Sequence, residues 1–236
     1  MLVELSNISK NYAHTSVLNS FSMQIKKNEI VCVVGPSGCG KSTILNLISG
    51  LESPDKGAIL NEYNRLGYVF QEDRLLPWKT VKENIAIVKD SVDERHIKEL
   101  INVMGLQGFE DSYPNELSGG MKQRCSIARA FYYGSDLLLM DEPFKSLDYD
   151  LRLNMVSYLL KVWQKSKTAI VFVTHNIDEA LLLGDRILVL TERPTKVKEN
   201  IEIKIKHNNR DLTSPVLNDI RNKVIKNITK TQKRGA

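Results

Sequence analysis

Ile30-Val31-Cys32-Val33-Val34 running into Gly35-Pro36-Ser37-Gly38-Cys39-Gly40-Lys41-Ser42-Thr43 is the stretch on which the fold turns. Five apolar, mostly β-branched residues in a row read as a buried strand of a parallel sheet. The following nine match G-x-x-x-x-G-K-[ST], and an apolar-periodic run from Ser42 to Gly50 reads as a helix. Strand, glycine loop and helix together form a phosphate cradle. The glycines let the backbone wrap closely and aim its N–H groups inward, the helix N-terminus adds positive potential, Lys41 reaches the β/γ-phosphates, and Ser42 ligates Mg²⁺. Average residue usage gives such a match by chance about once in a hundred chains of this size. Cys39 lies inside the loop beside Lys41, where positive potential is expected to favour its thiolate, whereas Cys32 on the buried strand is expected to react far more slowly.

Two further apolar runs extend the sheet outward. Leu137 to Met140 leads into Asp141-Glu142-Pro143, and Ala169 to Val173 into Thr174-His175. Ligands in open α/β sheets sit outside the carboxyl ends of the strands, so these polar residues are expected on one crevice with the glycine loop. Asp141 can hold Mg²⁺ through its waters. Glu142 can polarise water as a general base. Ser118-Gly119-Gly120, opening a helical pattern over 121–133, is a second anion-binding helix N-terminus. One phosphate site needs one cradle, so the second is read as covering the γ-phosphate of a nucleotide held by another copy. A plain capping turn is the rival, but Met121 does not complete a capping box. Another helical pattern covers 150–164, and residues 81–116 read as a charged helical insertion with Leu100, Ile101, Val103, Met104 and Leu106 on its apolar face.

Composition bounds the rest. The 236 residues, 42% of them hydrophobic, include 33 Lys and Arg against 28 Asp and Glu, for a net charge of +5. Glycine and proline are too few for a disordered or collagen-like chain. No run of about 18 apolar residues is present, so no bilayer-spanning helix is expected, and a membrane role has to pass through a partner. The N-terminal residues lack the pattern of a signal peptide, and three cysteines without a C-x-x-C pair point to a reducing cytosol. Residues 204–236 carry nine Lys and Arg and two Asp, so the basic balance belongs to a tail. In that tail Leu217, Ile220, Val224, Ile225 and Ile228 recur at helical spacing. It reads as a solvated amphipathic helix, with an anionic surface as the alternative role. The organisation expected is a nucleotide-binding α/β core over 1–80 and 117–203, the insertion over 81–116, and the tail.

With these motifs in this order, nearly the whole chain resembles the ATP-binding subunits of ABC transporters. The resemblance implies a P-loop NTPase core of the ABC ATPase type, with a helical subdomain and a short peripheral β-subdomain. It implies ATP and Mg²⁺ as cofactors and a homodimer that sandwiches two nucleotides. It also assigns roles: Tyr12 stacks on adenine; Gly35, Ser37, Gly38, Cys39, Gly40, Lys41, Ser42 and Thr43 form the phosphate loop; Gln71 joins the metal and water to the transport domain. Ser118, Gly119, Gly120 and Asp148 serve the opposing subunit, Glu142 is the base, Ser42, Gln71 and Asp141 hold the metal, and His175 senses the γ-phosphate. Two departures stand out. The interval from Lys41 to Gln71 is short by about one hairpin loop, and Lys145 occupies a place usually held by a small residue before Ser146-Leu147-Asp148.

Val69-Phe70-Gln71-Glu72-Asp73-Arg74-Leu75-Leu76-Pro77-Trp78, and Arg210-Asp211-Leu212-Thr213-Ser214-Pro215 in the tail, look like the importers of nitrate, sulfonate and taurine. On that reading the chain works at the cytoplasmic face of the membrane, with permease subunits docking near Leu75, Leu76 and Trp78 and an extracytoplasmic binding protein as an indirect partner. Packing of Trp78 into the core is the rival. An ABC ATPase of another transporter class, a soluble one acting on nucleic acid, and a P-loop kinase are the alternatives. The kinase leaves Ser118-Gly119-Gly120 and His175 without a use.

Overall fold

The computed structural model describes residues 1–145 and 147–232. The chain divides into two compact units, Met1–Asn64 with the chain from Ala169 onward, and Arg65–Thr168.

The first unit carries two sheet regions. β1 (Val3–Tyr12), β2 (Thr15–Ile25) and β4 (Lys56–Asn61) form an antiparallel sheet in the order β2-β1-β4. Its inner face is made by Val3, Leu5, Ile8, Leu18, Phe21 and Ile25, all fully or almost fully buried. Irregular register between Leu5 and Ile8 of β1, with Asn7 at φ 53°, interrupts the simple alternation that would have marked β1 in the sequence. The second region centres on β3 (Ile30–Val34), flanked in parallel by β7 (Ala169–Val173) and β8 (Arg186–Leu190), with β9 (Val197–Glu202) antiparallel to β8. All five residues of β3 and of β7 are buried, which is why both read as unbroken apolar runs.

Helices α1 (Lys41–Ser49), α6 (Ile177–Leu183) and α7 (Pro215–Gln232) complete this unit. Arg210 closes the C-terminus of α6, its Nη1 donating to the carbonyls of Leu181, Leu182 and Gly184 at 2.8–3.0 Å. Leu217 and Val224 of α7 are fully buried, while Ile225 is exposed. Within the tail, Pro215–Gln232 thus form a helix that buries one apolar side through residue 224, whereas 204–214 are not α-helical.

The second unit pairs β5 (Leu66–Val69) in parallel with β6 (Leu137–Asp141) and adds four helices, α2 (Val81–Ala86), α3 (Glu94–Val103), α4 (Gly119–Tyr133) and α5 (Tyr149–Ser166). Leu100, Ile101, Met104 and Leu106 are buried, so the apolar face read in the insertion is a packed face, although Val103 stays partly exposed. Arg124 of α4 reaches back to the end of α3, donating to the carbonyls of Met104 at 3.0 Å and Gly105 at 2.8 Å. Among the described residues, no helix is long and apolar enough to cross a membrane.

Candidate functional site

In the first unit the glycine loop leaves the carboxyl end of β3 and enters α1 at Gly40, whose φ of 107° excludes most side chains. No side chain caps α1 and no acidic residue lies in its first turn. Its leading N–H groups are therefore available to an anion, which is the fit a nucleotide phosphate requires. A Cβ at Gly40 would lie 2.6 Å from Val17 Cγ1 and one at Gly35 2.9 Å from Leu190 Cβ, so packing as well as backbone shape demands glycine there. Lys41 is buried, and its Nζ donates to the carbonyls of Gly35 and Pro36, both at 3.0 Å, which folds the ammonium over the loop. Ser37, Gly38 and Ser42 are exposed, and Thr43 is partly so.

Cys39 departs from expectation. Burial pushes its thiol above the ordinary range, outweighing Lys41 and Arg193, whose charges do favour the thiolate. Its side chain is 1% exposed, with Sγ 3.1 Å from where a Gly35 Cβ would stand. The sequence shows the neighbouring charges; it does not show the packing.

Two residues near the loop carry no sequence signal. The Thr195 hydroxyl donates to the Cys39 carbonyl and its amide to Val17 O at 2.8 Å, bracing the loop from far along the chain. Arg193 Nη2 comes within 3.9 Å of where a Gly38 Cβ would lie. Tyr12, at the end of β1 and 41% exposed, is anchored through its hydroxyl to Glu52 and lies within hydrogen-bonding reach of Thr43. Partial desolvation and the Glu52 carboxylate raise its phenol above the usual range. His175, exposed, follows β7, and Thr174 N donates to Val33 O at 3.2 Å. His175 and the glycine loop thus leave the same end of adjacent strands. The turn between His175 and α6 is fixed by Thr174 Oγ1 donating to Glu179 at 2.5 Å and by Asn176 capping the helix.

In the second unit Val69 pairs with Met140, so Gln71 and the carboxylates of Asp141 and Glu142 follow the same end of β5 and β6. Gln71 is exposed, whereas Asp141 and Glu142 are partly buried. Glu142 has φ 44°, a left-handed backbone that few non-glycine residues adopt. Lys145 turns back on it, with Nζ 3.0 Å from Oε2.

The segment after Gln71 is built rather than loose. Tyr68 and Phe70 stack at 4.1 Å, and the Arg74 guanidinium covers Phe70 at 3.6 Å. Arg129 of α4 donates to the carbonyls of Asp73 and Arg74 at 3.2 and 3.1 Å. Asn84, fully buried, accepts from Leu76 N and donates to the carbonyls of Leu76, Lys79 and Thr80, all at 2.8–3.1 Å. This frame leaves Trp78 69% exposed, with Leu75 and Leu76 half-buried beside it. Trp78 therefore does not pack into the core.

Ser118 caps α4 by accepting from Met121 N at 3.3 Å; Ser118 and Gly119 are exposed and Gly120 is buried. A Cβ on Gly119 would meet nothing within 4 Å. Asp148 is exposed and caps α5, accepting from Leu151 N at 2.9 Å, while Ser146 lies outside the described residues. Among the described residues no three or more His, Cys, Asp or Glu side chains cluster as a metal cage. In the first unit Ser42 offers a hydroxyl oxygen, and in the second Gln71 and Asp141 offer amide and carboxylate oxygens. Each is an oxygen donor of the kind that Mg²⁺ takes together with waters and substrate phosphates.

Residues 18–145 match the ABC transporter family model. The chain is 41% identical over 239 residues to an aliphatic sulfonates import ATP-binding protein SsuB of Bacillus cereus, covering 95% of each chain. The SsuB of Bacillus subtilis is 40% identical, with 92% of this chain and 89% of the relative covered. Among solved structures, a dimeric ATP-binding cassette in a post-hydrolysis state with ADP and Pi superposes with a TM-score of 0.74 at 28% identity, over 87% of this chain and 100% of the other. The cbiO1 protein of Clostridium perfringens, at 23% identity, shares the fold with a TM-score of 0.77, over 94% of this chain and 98% of the other. An uncapped phosphate-loop helix, two strand ends bearing the acid and histidine residues, and matches of this extent lead to one conclusion: the chain belongs to the ABC transporter family, as an ATP-binding and ATP-hydrolysing subunit.

Proposed function

We propose that this chain powers the import of a small sulfonate-like anion, working as a homodimer against membrane permease subunits. The observation that carries the reading is near-full-length identity of about two residues in five to proteins named for aliphatic sulfonate import. The framed, exposed Trp78 segment supports it. An aromatic residue held out into solvent by Asn84 and Arg129 is the kind of apolar anchor that interfaces use.

The residue roles in this reading are those that the family implies. Tyr12 stacks on adenine. Gly35, Ser37, Gly38, Cys39 and Gly40 lend backbone amides to the phosphates, joined by Lys41, Ser42 and Thr43 at the start of α1. Ser42, Gln71 and Asp141 would hold Mg²⁺, which when bound would neutralise charge at the phosphates. Glu142 accepts a proton from the attacking water, and His175 hydrogen-bonds the γ-phosphate. Ser118, Gly119, Gly120 and Asp148 act on a nucleotide held by the second copy. Closing and reopening of the pair then moves the permease subunits docked at Leu75, Leu76 and Trp78, at the cytoplasmic face.

The test is uptake of a labelled aliphatic sulfonate by vesicles containing this chain, its permease subunits and a binding protein. Uptake should require ATP and be lost in Trp78→Asp, while ATP binding by that variant stays at the wild-type level. Sulfonate-independent ATP turnover in the full complex would move the substrate assignment elsewhere.

A further inference from the structure

Glu142 and Lys145 belong to one tight turn, closed by Lys145 N donating to Glu142 O at 3.1 Å and anchored by the fully buried Phe144. The turn returns the Lys145 side chain over the carboxylate, 3.0 Å from Oε2, with Glu142 at 14% and Lys145 at 48% side-chain exposure. The carboxylate is the enclosed partner and the lysine the one open to solvent. Backbone closure and Phe144 already hold the turn, so its shape does not depend on the ammonium.

A general base must present an oxygen lone pair to water, and an ammonium held against Oε2 takes one of the carboxylate's lone pairs, turns the group toward itself and lowers its basicity. We propose that Lys145 is a positioning residue that holds Glu142 in a non-productive arrangement in the resting chain, and that release of this latch accompanies pairing of two copies. The inference rests on the assignment of Glu142 as base. The location fits release by assembly: Asp148, three residues downstream, is exposed and is read as meeting the opposing subunit, and a half-exposed lysine is readily drawn to another acceptor. The left-handed backbone of Glu142 fixes where its side chain starts, so the latch sets where the carboxylate ends.

Steady-state ATP hydrolysis by the isolated full-length chain tests this. A pair with one partner half exposed is weak, so Lys145→Ala and Lys145→Gln should each raise kcat about three- to fivefold, with KM for Mg-ATP unchanged. Lys145→Arg, which keeps a cation over the carboxylate, should stay at the wild-type rate. An unchanged or lowered kcat in the Ala and Gln variants overturns the latch, as does an equal rise in Lys145→Arg. Glu142→Gln is measured alongside: its inactivity with a flat Lys145 series removes the latch alone, whereas its retention of hydrolysis removes the base assignment itself.

Discussion

Cys39 is sealed by packing within the glycine loop, and its backbone carbonyl is held by Thr195, a residue 156 positions later in the chain. Desolvation there outweighs Lys41, two positions away, and the thiol is raised in spite of the charge beside it. All three thiols are buried, and Cys125 is pushed up to about 12 by the same desolvation. Because the folded-state values are raised, the thiolate fraction at neutral pH falls below that of a free cysteine. A maleimide should therefore label the native chain far more slowly than the chain in denaturant, with the native rate climbing only at strongly alkaline pH. Rapid stoichiometric labelling of Cys39 at pH 7 would contradict this. The glycine loop, Ser118-Gly119-Gly120 and Asp141-Glu142 are legible in the sequence because each is contiguous, with chemistry set by residue type and order. Thr195 and Arg193 are not, because their relevance exists only once β8 has been laid beside β3.

Among the elements, the parallel strands and long helices follow from pattern. β3, β6 and β7 are apolar because both of their faces are covered, and α1, α4 and α5 keep a helical period around one packed side. The antiparallel strands β1, β2 and β4 are harder to read individually. Their alternation is broken by register shifts, and β4 is mostly exposed. The frame after Gln71 is invisible at this level as well: Asn84 looks like a polar surface position of a charged helix, yet it is fully buried and holds three carbonyls and an amide. Replacing it leaves those groups without partners, so Asn84→Ala should cost about 2–3 kcal/mol of stability. Thr80 starts the same helix with a reciprocal capping box to Glu83, and Thr80→Ala should cost about 1 kcal/mol. Urea unfolding of both variants checks the order; equal losses would mean that Asn84 serves only as helix surface.

For the whole molecule, the decisive property is one that a single chain cannot express. If the Ser118 turn serves a second copy, stopping hydrolysis should trap the pair. Glu142→Gln keeps the shape of the side chain but is a far weaker base. It should migrate as an ATP-dependent dimer in size-exclusion chromatography, and adding Ser118→Arg should return it to the monomer. A Glu142→Gln chain that stays monomeric in saturating ATP, at low and high salt, would sink the shared-site mechanism. The basic tail, prominent in the charge count, is partly spent on the fold: Arg221 pairs with Asp178 at 2.6 Å and Lys223 with Glu199 at 2.5 Å. The division into two units has a bearing on how the protein is made. Arg65–Thr168 is one uninterrupted length of chain, whereas the other unit is written in two pieces with that length between them. During synthesis the glycine loop emerges early, but β7, β8 and Thr195, which flank and brace it, leave the ribosome only after that intervening length. Until then β3 is an unpaired apolar ribbon, the state most open to misassociation. A ribosome-bound chain arrested when Thr168 has just cleared the exit tunnel, with the following residues still inside it, should thus already resist protease across Arg65–Thr168 while remaining unable to hold ATP.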